Sequence, residues 1–198
     1  MHPDRRFHWH DQDDMRAFVA DRAFGMLFTL TPDGPRVAHV PVLLDGQDRI
    51  LFHLSRGNAL APSLDGADAL FVANGADAYV SPDWYGLDDQ VPTWNYVSVE
   101  LEGRVSALPP ESLPDIIDRL SHDQERRLSP KPAWTRDKMQ DGLFDRMLGA
   151  ITAYELRVTA WRGTRKLGQN KPETARLRVA DALGDHAIAR SMRETTAS

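Results

Sequence analysis

The sequence predicts an α+β fold, mainly β, in which a mostly antiparallel sheet curls toward a barrel and helices sit at its periphery. Three observations lead there. Runs of alternating apolar and polar residues are separated by "PDGP" and "DGQD", whose Asp-Gly pairs signal tight hairpins. The stretch "TWNYVSVELEGRV" is long enough to serve two neighbouring strands. Helix-period segments occur in clusters, without the βαβα rhythm of a parallel sheet, and an antiparallel sheet hides its edges by closing on itself.

Taken in order, Met1 to His10 holds charges, histidines and Trp9 but no apolar h-region, so no secretory signal is expected. "DQDDMRAFVADRAF" opens with acids and then spaces Met15, Phe18, Val19 and Ala23 as an amphipathic helix. "FGMLFTLT", "RVAHVPVLL" and "RILFHLS" read as a three-stranded meander. "NALAPSL" gives one or two helical turns, and "ADALFVA" and "DAYVS" read as two short strands. After the loop "PDWYGLDDQVP", the long strand puts Val97, Val99, Leu101 and Val105 on one face.

"PESLPDIIDRLSHDQERRL" spaces Leu113, Ile116, Ile117 and Leu120 at helical period, and a second helix is expected through "DKMQDGLFDRMLGAI" using Leu143, Phe144, Met147 and Leu148. Both stripes are expected in the core. "YELRVTAWRG" returns to strand period with Tyr154, Leu156, Val158 and Ala160, and the tail from Pro172 is expected to finish as helix. The organisation expected is one domain over 1–198, with a helical insertion over about 110–149 and a helical tail over about 172–195.

Composition excludes several function classes. With 41% hydrophobic and 27% charged residues the chain has a soluble protein's balance. No run approaches the ~20 apolar residues that span a bilayer, so no membrane partner is expected. The absence of cysteine excludes disulfides, thiolate metal sites and a cysteine nucleophile, and makes the cytoplasm the expected location. A net charge of -5 argues against broad adhesion to nucleic acid. The late segment is nonetheless basic, carrying Arg157, Arg162, Arg165, Lys166, Lys171, Arg176 and Arg178 against Glu155 and Glu173. It reads as a solvated face. His8 and His10 near Asp11, Asp13 and Asp14 are metal-type donors at a terminus, where solvation is the expected state, and no metal site is assigned. There is no G-x-S-x-G elbow, P-loop, G-x-G-x-x-G fingerprint or helix-turn-helix pattern.

Three stretches carry chemistry. In "ILFHLSRGNAL", Ser55, Arg56, Gly57 and Asn58 follow a strand and lead into a helical turn, offering a hydroxyl, a guanidinium fork and main-chain N–H groups that suit a phosphate dianion. Equally, Arg56 could meet a carboxylate and Asn58 could cap the short helix. In "VPTWNYVSV", Thr93, Trp94, Asn95 and Tyr96 offer stacking and edge contacts to a planar heteroaromatic, or two rings that pack beneath the loop holding Trp84 and Tyr85. "KLGQNK" brings two amides and two ammonium groups together. His39 and His53, on neighbouring strands, either line one pocket or satisfy local hydrogen bonds.

"FHLSRGN", "AYVSPDWY", "VPTWNYVSVELEGRV" and "KLGQNK", in this order and with two helices before the last strand, resemble the PaiB-type FMN-binding negative transcriptional regulators over nearly the whole chain. The resemblance implies an FMN-binding split β-barrel of the flavin-reductase type, related to pyridoxamine phosphate oxidases, with FMN at the interface of a homodimer. It implies that the "HLSRGN" stretch, His53 and Leu54 with Ser55, Arg56 and Asn58, holds the phosphate. His39, Val40 and Pro41 would run beside the isoalloxazine, and Thr93, Trp94, Asn95, Tyr96, Lys166, Gln169 and Asn170 would be further cofactor contacts. The chain departs from the family pattern at Ser55 and Gly57, where alanine is common, at Ala59, where proline is common, and at Gly168, where serine is common. DNA is a partner by family role alone. Two alternatives stand beside this reading: an FMN-dependent oxidoreductase, with His39 and His53 as weak acid–base candidates and no catalytic residue identified, and a haem-binding split barrel with His39, His53 or His122 as axial ligand.

Overall fold

The structure is a computed structural model that describes residues 2–195. Seven strands and six α-helices follow one another among those residues: β1 (His8–Trp9), α1 (Gln12–Arg22), β2 (Phe24–Thr31), β3 (Gly34–Leu44), β4 (Arg49–Ser55), α2 (Ala61–Leu64), β5 (Asp68–Val80), β6 (Thr93–Ala107), α3 (Leu113–Glu125), α4 (Leu143–Leu148), β7 (Ile151–Lys166), α5 (Glu173–Leu183) and α6 (Ala187–Glu194). The sheet order is β1-β7-β4-β3-β2-β5-β6, and β6 also pairs with β7, so the order closes. The registered pairs are antiparallel. This is the mainly-β α+β fold that the alternation and the Asp-Gly pairs predict.

The chain forms two compact units. One runs Arg16–Val72 and Leu101–Trp161 and holds the meander. There β2 pairs with β3 from Phe24↔Pro41 to Thr31↔Gly34, and β4 lies between β3 and β7 with Phe52 opposite Tyr154. Leu27, Val40, Val42, Ile50, Phe52, Leu54, Phe71 and Leu156 fill its interior. At Gly103 a side chain would run into the Arg157 carbonyl, so β6 and β7 can approach only because that position is glycine. On the outer face, α3 lays Leu113, Ile116 and Leu120 onto Leu43, Leu51 and Ala153, at about 1.5–3 kcal/mol for each large side chain removed from water. Asp45 pins the helix to the β3–β4 turn, pairing with both Arg49 and Arg119, the latter at 2.8 Å. Helix α1 is followed by Ala23, a non-glycine residue at φ 49 that joins it to β2.

The other unit comprises the chain up to Met15, Ala73–Glu100, and the chain from Arg162. Strand β1 pairs with β7 there, His8 opposite Thr164 and Trp9 opposite Gly163. Two residues are too few to show a period, which is why the sequence gives no sign of this strand. Helices α5 and α6 bury Ala175, Val179 and Ala180 with Ile188, Ala189 and Met192, and the buried Arg176 donates to the Met192 carbonyl.

Two sequence expectations need correction. "ADALFVA" and "DAYVS" are one strand, β5. Its buried positions are Ala69, Phe71 and Ala73, then Ala78 and Val80, so the inward face changes parity around Asn74-Gly75. The strand runs through the Asn-Gly pair there without a hairpin turn. The second helix of the insertion is also shorter than expected: Gly142 is left-handed at φ 69 and α4 begins after it. Leu148 packs against the α3 cluster, whereas Met147 is 59% exposed, so the expected core stripe is only partly buried.

Candidate functional site

Strand alternation sets the site in the meander unit. Along β4, Ile50, Phe52 and Leu54 point inward and Leu51, His53 and Ser55 outward. Leu51 lies under α3, and the coverage stops at His53. A cleft of about 420 Å³ opens there, lined by Pro41 and His53 from the sheet, Ile117, Leu120 and Gln124 from α3, and Trp134 from the segment that follows. His53 Nδ1 is buried in the cleft wall without a hydrogen-bond partner. Burial lowers the ring's pKa, so the imidazole is neutral near neutral pH and ready to donate or accept one bond. Trp134 is held by its main-chain N–H, which donates to Glu125 at 2.7 Å, and Glu125 also pairs with Lys131.

Two residues past His53 the chain turns. Its main-chain N–H groups are already engaged: Arg56 N–H donates to the Ala150 carbonyl just ahead of β7, and within the turn Gly57 N–H donates to Ser55 Oγ and Asn58 N–H to the Ser55 carbonyl. Asn58 Oδ1 accepts from Leu60 N–H at 3.0 Å and so caps the turn into α2. Arg56 is exposed, and its Nε donates to the Ile151 carbonyl at 3.2 Å. That bond orients the guanidinium and leaves its two terminal nitrogens, with the Ser55 hydroxyl, for an anion. What the turn offers an anion is therefore side-chain groups rather than main-chain N–H groups.

Of the other expected contacts in this unit, Val40 and Leu54 are buried facing inward and reach the outer face through main chain only. His39 is exposed and stacks on Phe24 with ring centroids 6.4 Å apart.

In the other unit the two motifs divide by strand parity. Thr93 and Asn95 line a cavity of about 250 Å³ together with Lys166, Asn170, Lys171 and Tyr85. Trp94 and Tyr96 point to the opposite face. Trp94 is 55% exposed and meets Tyr79 edge-on at 6.2 Å, and Tyr96 is half-buried with its pKa raised chiefly by burial. Gln169 is occupied structurally: Oε1 accepts from Leu167 N–H at 2.8 Å, and Nε2 donates to the Arg165 and Arg6 carbonyls. Gly168 sits at φ 82, a conformation that favours glycine over the serine of the family pattern.

The late basic run is distributed among partners. Arg157 pairs with Glu155, Arg162 with Glu100 and Arg165 with Asp14, while Arg178 faces the Tyr85 and Gly86 carbonyls. Among the described residues no three His, Asp or Glu side chains converge as metal ligands, and no helix is long and apolar enough to cross a membrane. Sequence reasoning missed Trp134 and the α3 wall of the cleft. The one available signal was a lone tryptophan in the polar stretch "SPKPAWTRDK".

Residues 1–160 match the family model described as "Putative FMN-binding domain". Protease synthase and sporulation protein PAI 2 of Bacillus subtilis (strain 168) is 27% identical over 187 residues, covering 92% of this chain and 89% of that protein. Among solved structures, the FAD and heme binding protein from Mycobacterium smegmatis aligns with a TM-score of 0.58 at 17% identity, covering 80% of this chain and 73% of that one. The flavocytochrome Anf3 from Azotobacter vinelandii aligns with a TM-score of 0.56 at 19% identity, covering 80% and 69%. At these identities the structural likeness establishes a shared fold, the split barrel.

Proposed function

The chain belongs to the PaiB-type FMN-binding family, and we propose that its FMN lies on the outer face of β4, with the flavin ring in the His53 cleft and the phosphate at Arg56. The observation that carries this reading is the buried, unpartnered Nδ1 of His53. An unsatisfied buried polar atom is costly, and the His53 side chain that carries it lines a cleft whose wall combines apolar Pro41, Ile117, Leu120 and Trp134 with polar Ser121, Gln124 and Glu125. A flat ring system with apolar faces and a polar edge suits that lining. Ser55 lies two residues along the same face, about 7 Å away, and the Arg56 fork follows. The order ring, polyol, phosphate thus matches the order His53, Ser55, Arg56.

FMN supplies redox chemistry through its isoalloxazine when bound. The chain's own residues do the rest. Trp134 and α3 exclude water from one side of the cleft, neutral His53 offers one hydrogen bond to the ring edge, and Arg56 neutralises the phosphate.

The cleft also borders an apolar surface. Phe24, Phe28, Leu30 and Val37 are exposed large hydrophobics on β2 and β3, with Phe24 opposite Pro41 and Phe28 opposite Val37. Such a contiguous patch marks an interaction site. A second copy is the occupant this reading assigns, through a two-fold, self-complementary contact, because Pro41 belongs to the cleft and its cross-strand neighbour Phe24 to the patch. DNA enters only through the family's regulatory role, and the arginines Arg157, Arg162, Arg165 and Arg178 of the basic run are engaged in ion pairs and carbonyl bonds.

Calorimetric titration with FMN and with riboflavin tests the cofactor assignment. Arg56→Ala should weaken FMN binding about 10- to 100-fold, the scale of a lost charge-assisted bond, and leave riboflavin unchanged. An equal loss for both ligands, or none for either, contradicts it.

A further inference from the structure

The 250 Å³ cavity beside β6 and the end of β7 has an unbalanced charge. Lys166 Nζ donates to Thr93 Oγ1 and lies 5.9 Å from the centroid of the Phe7 ring. Lys171 Nζ donates to Gln90 Oε1 and lies 5.3 Å from the centroid of Tyr85. Both ammonium groups are held by neutral oxygens and ring faces, and among the described residues neither makes an ion pair with a carboxylate. The carboxylate in the lining, Asp4, is taken by the Arg6 fork at 2.7 and 3.1 Å. Burial without a compensating charge lowers the Lys166 pKa. Asn170 adds a carboxamide that makes no hydrogen bond among the described residues, and Asn95, 1% exposed, closes the wall with its amide nitrogen on Met192 Sδ.

We infer that this cavity is a binding site for the oxyanion of a small metabolite, a carboxylate or a phosphate, received by Lys166, Lys171 and Asn170. Each ammonium keeps two donors beyond the bond it already makes, and an incoming oxyanion supplies the counter-charge that the walls lack. Size selects the ligand class. The cavity is below the ~300–1,000 Å³ typical of sites for drug-sized ligands, so it takes an ion or a compact acid and not a whole flavin nucleotide. The inference is independent of the flavin assignment, which rests on residues of the meander unit.

Calorimetric titration of the full chain with inorganic phosphate and with succinate, against sodium chloride at matched ionic strength, tests it and distinguishes the two sources of the oxyanion. Saturable binding of one of them is expected, with affinity reduced about tenfold or more, the cost of one lost charged hydrogen bond, in both Lys166→Met and Lys171→Met. Asn170→Ala, which leaves both cations in place, should weaken binding by less and decides the matter should a lysine variant fail to fold. FMN should bind the anion-loaded protein as it binds the free one. The inference is overturned if neither anion binds saturably, if the folded variants bind as the wild type does, or if FMN displaces the anion one for one.

Discussion

Glu125 and Trp134, nine residues apart, are joined by a 2.7 Å hydrogen bond from the Trp134 main-chain N–H to the carboxylate. Lys131 meets the same carboxylate. The last residue of α3 thereby folds the following segment back and sets an indole against the cleft that holds His53. A single carboxylate organises one wall of the proposed flavin site.

The Lys131 contact first, and the Trp134 N–H second, hold the Glu125 carboxyl below the ordinary glutamate range. A carboxylate with a depressed folded-state pKa stabilises its contacts above the unfolded value, and the contribution is lost as pH falls through the depressed value. Protection factors for hydrogen exchange over 126–138, corrected for the intrinsic rate at each pH, should therefore be high at neutral pH and fall only in acid below the usual glutamate range. Glu125→Gln should show the low protection already at neutral pH and bind FMN several-fold more weakly.

His53 carries the opposite chemistry. Burial lowers its pKa, so in the folded chain the ring stays neutral at a pH where the unfolded chain has taken up a proton. Stability from this group is present above the unfolded value of about 6.5. It declines as pH falls below that value and levels off once the folded form also protonates. His53→Leu should lose less stability than the wild type between neutral pH and mild acid, measured by urea midpoints, and should bind FMN more weakly.

Ala23 holds φ 49 at the end of α1, where its N–H bonds back to the Val19 carbonyl. Left-handed backbone costs an L-residue roughly 1–2 kcal/mol, and glycine is the usual solution at a helix end. Ala23→Gly should raise stability by about 1 kcal/mol in chemical denaturation, after the entropy that glycine adds to the unfolded chain is subtracted.

The apolar patch gives a prediction about assembly. Phe28 lies opposite both Val37 and Leu70 and is exposed, so Phe28→Glu places a charge within the assigned two-fold contact while leaving the interior untouched. Light scattering should show a dimer for the wild type and a monomer for the variant, with unchanged circular dichroism.

How far the sequence specifies this molecule depends on whether a feature is local. The meander is legible because alternation and Asp-Gly turns act within a few residues, and the Ser55–Asn58 turn because its residue types gather in one stretch. Strand β5 is not, since Asn74-Gly75 has the composition of a hairpin and only the neighbouring strands determine that the chain runs on with shifted parity. Parity does separate Thr93 and Asn95 from Trp94 and Tyr96 in the sequence, although four adjacent functional-looking residues invite treatment as one group. Trp134 and the unsatisfied His53 Nδ1 are tertiary facts. They depend on where α3 ends and on a carboxylate that folds the next segment back, and no window along the chain contains both.

The location of the flavin decides the central assignment. In crystals grown with FMN, difference density should show the isoalloxazine among Pro41, His53 and Trp134 with the phosphate on the Arg56 guanidinium. Density for the ring beside Lys166 and Asn170, or a phosphate remote from Arg56, would contradict it.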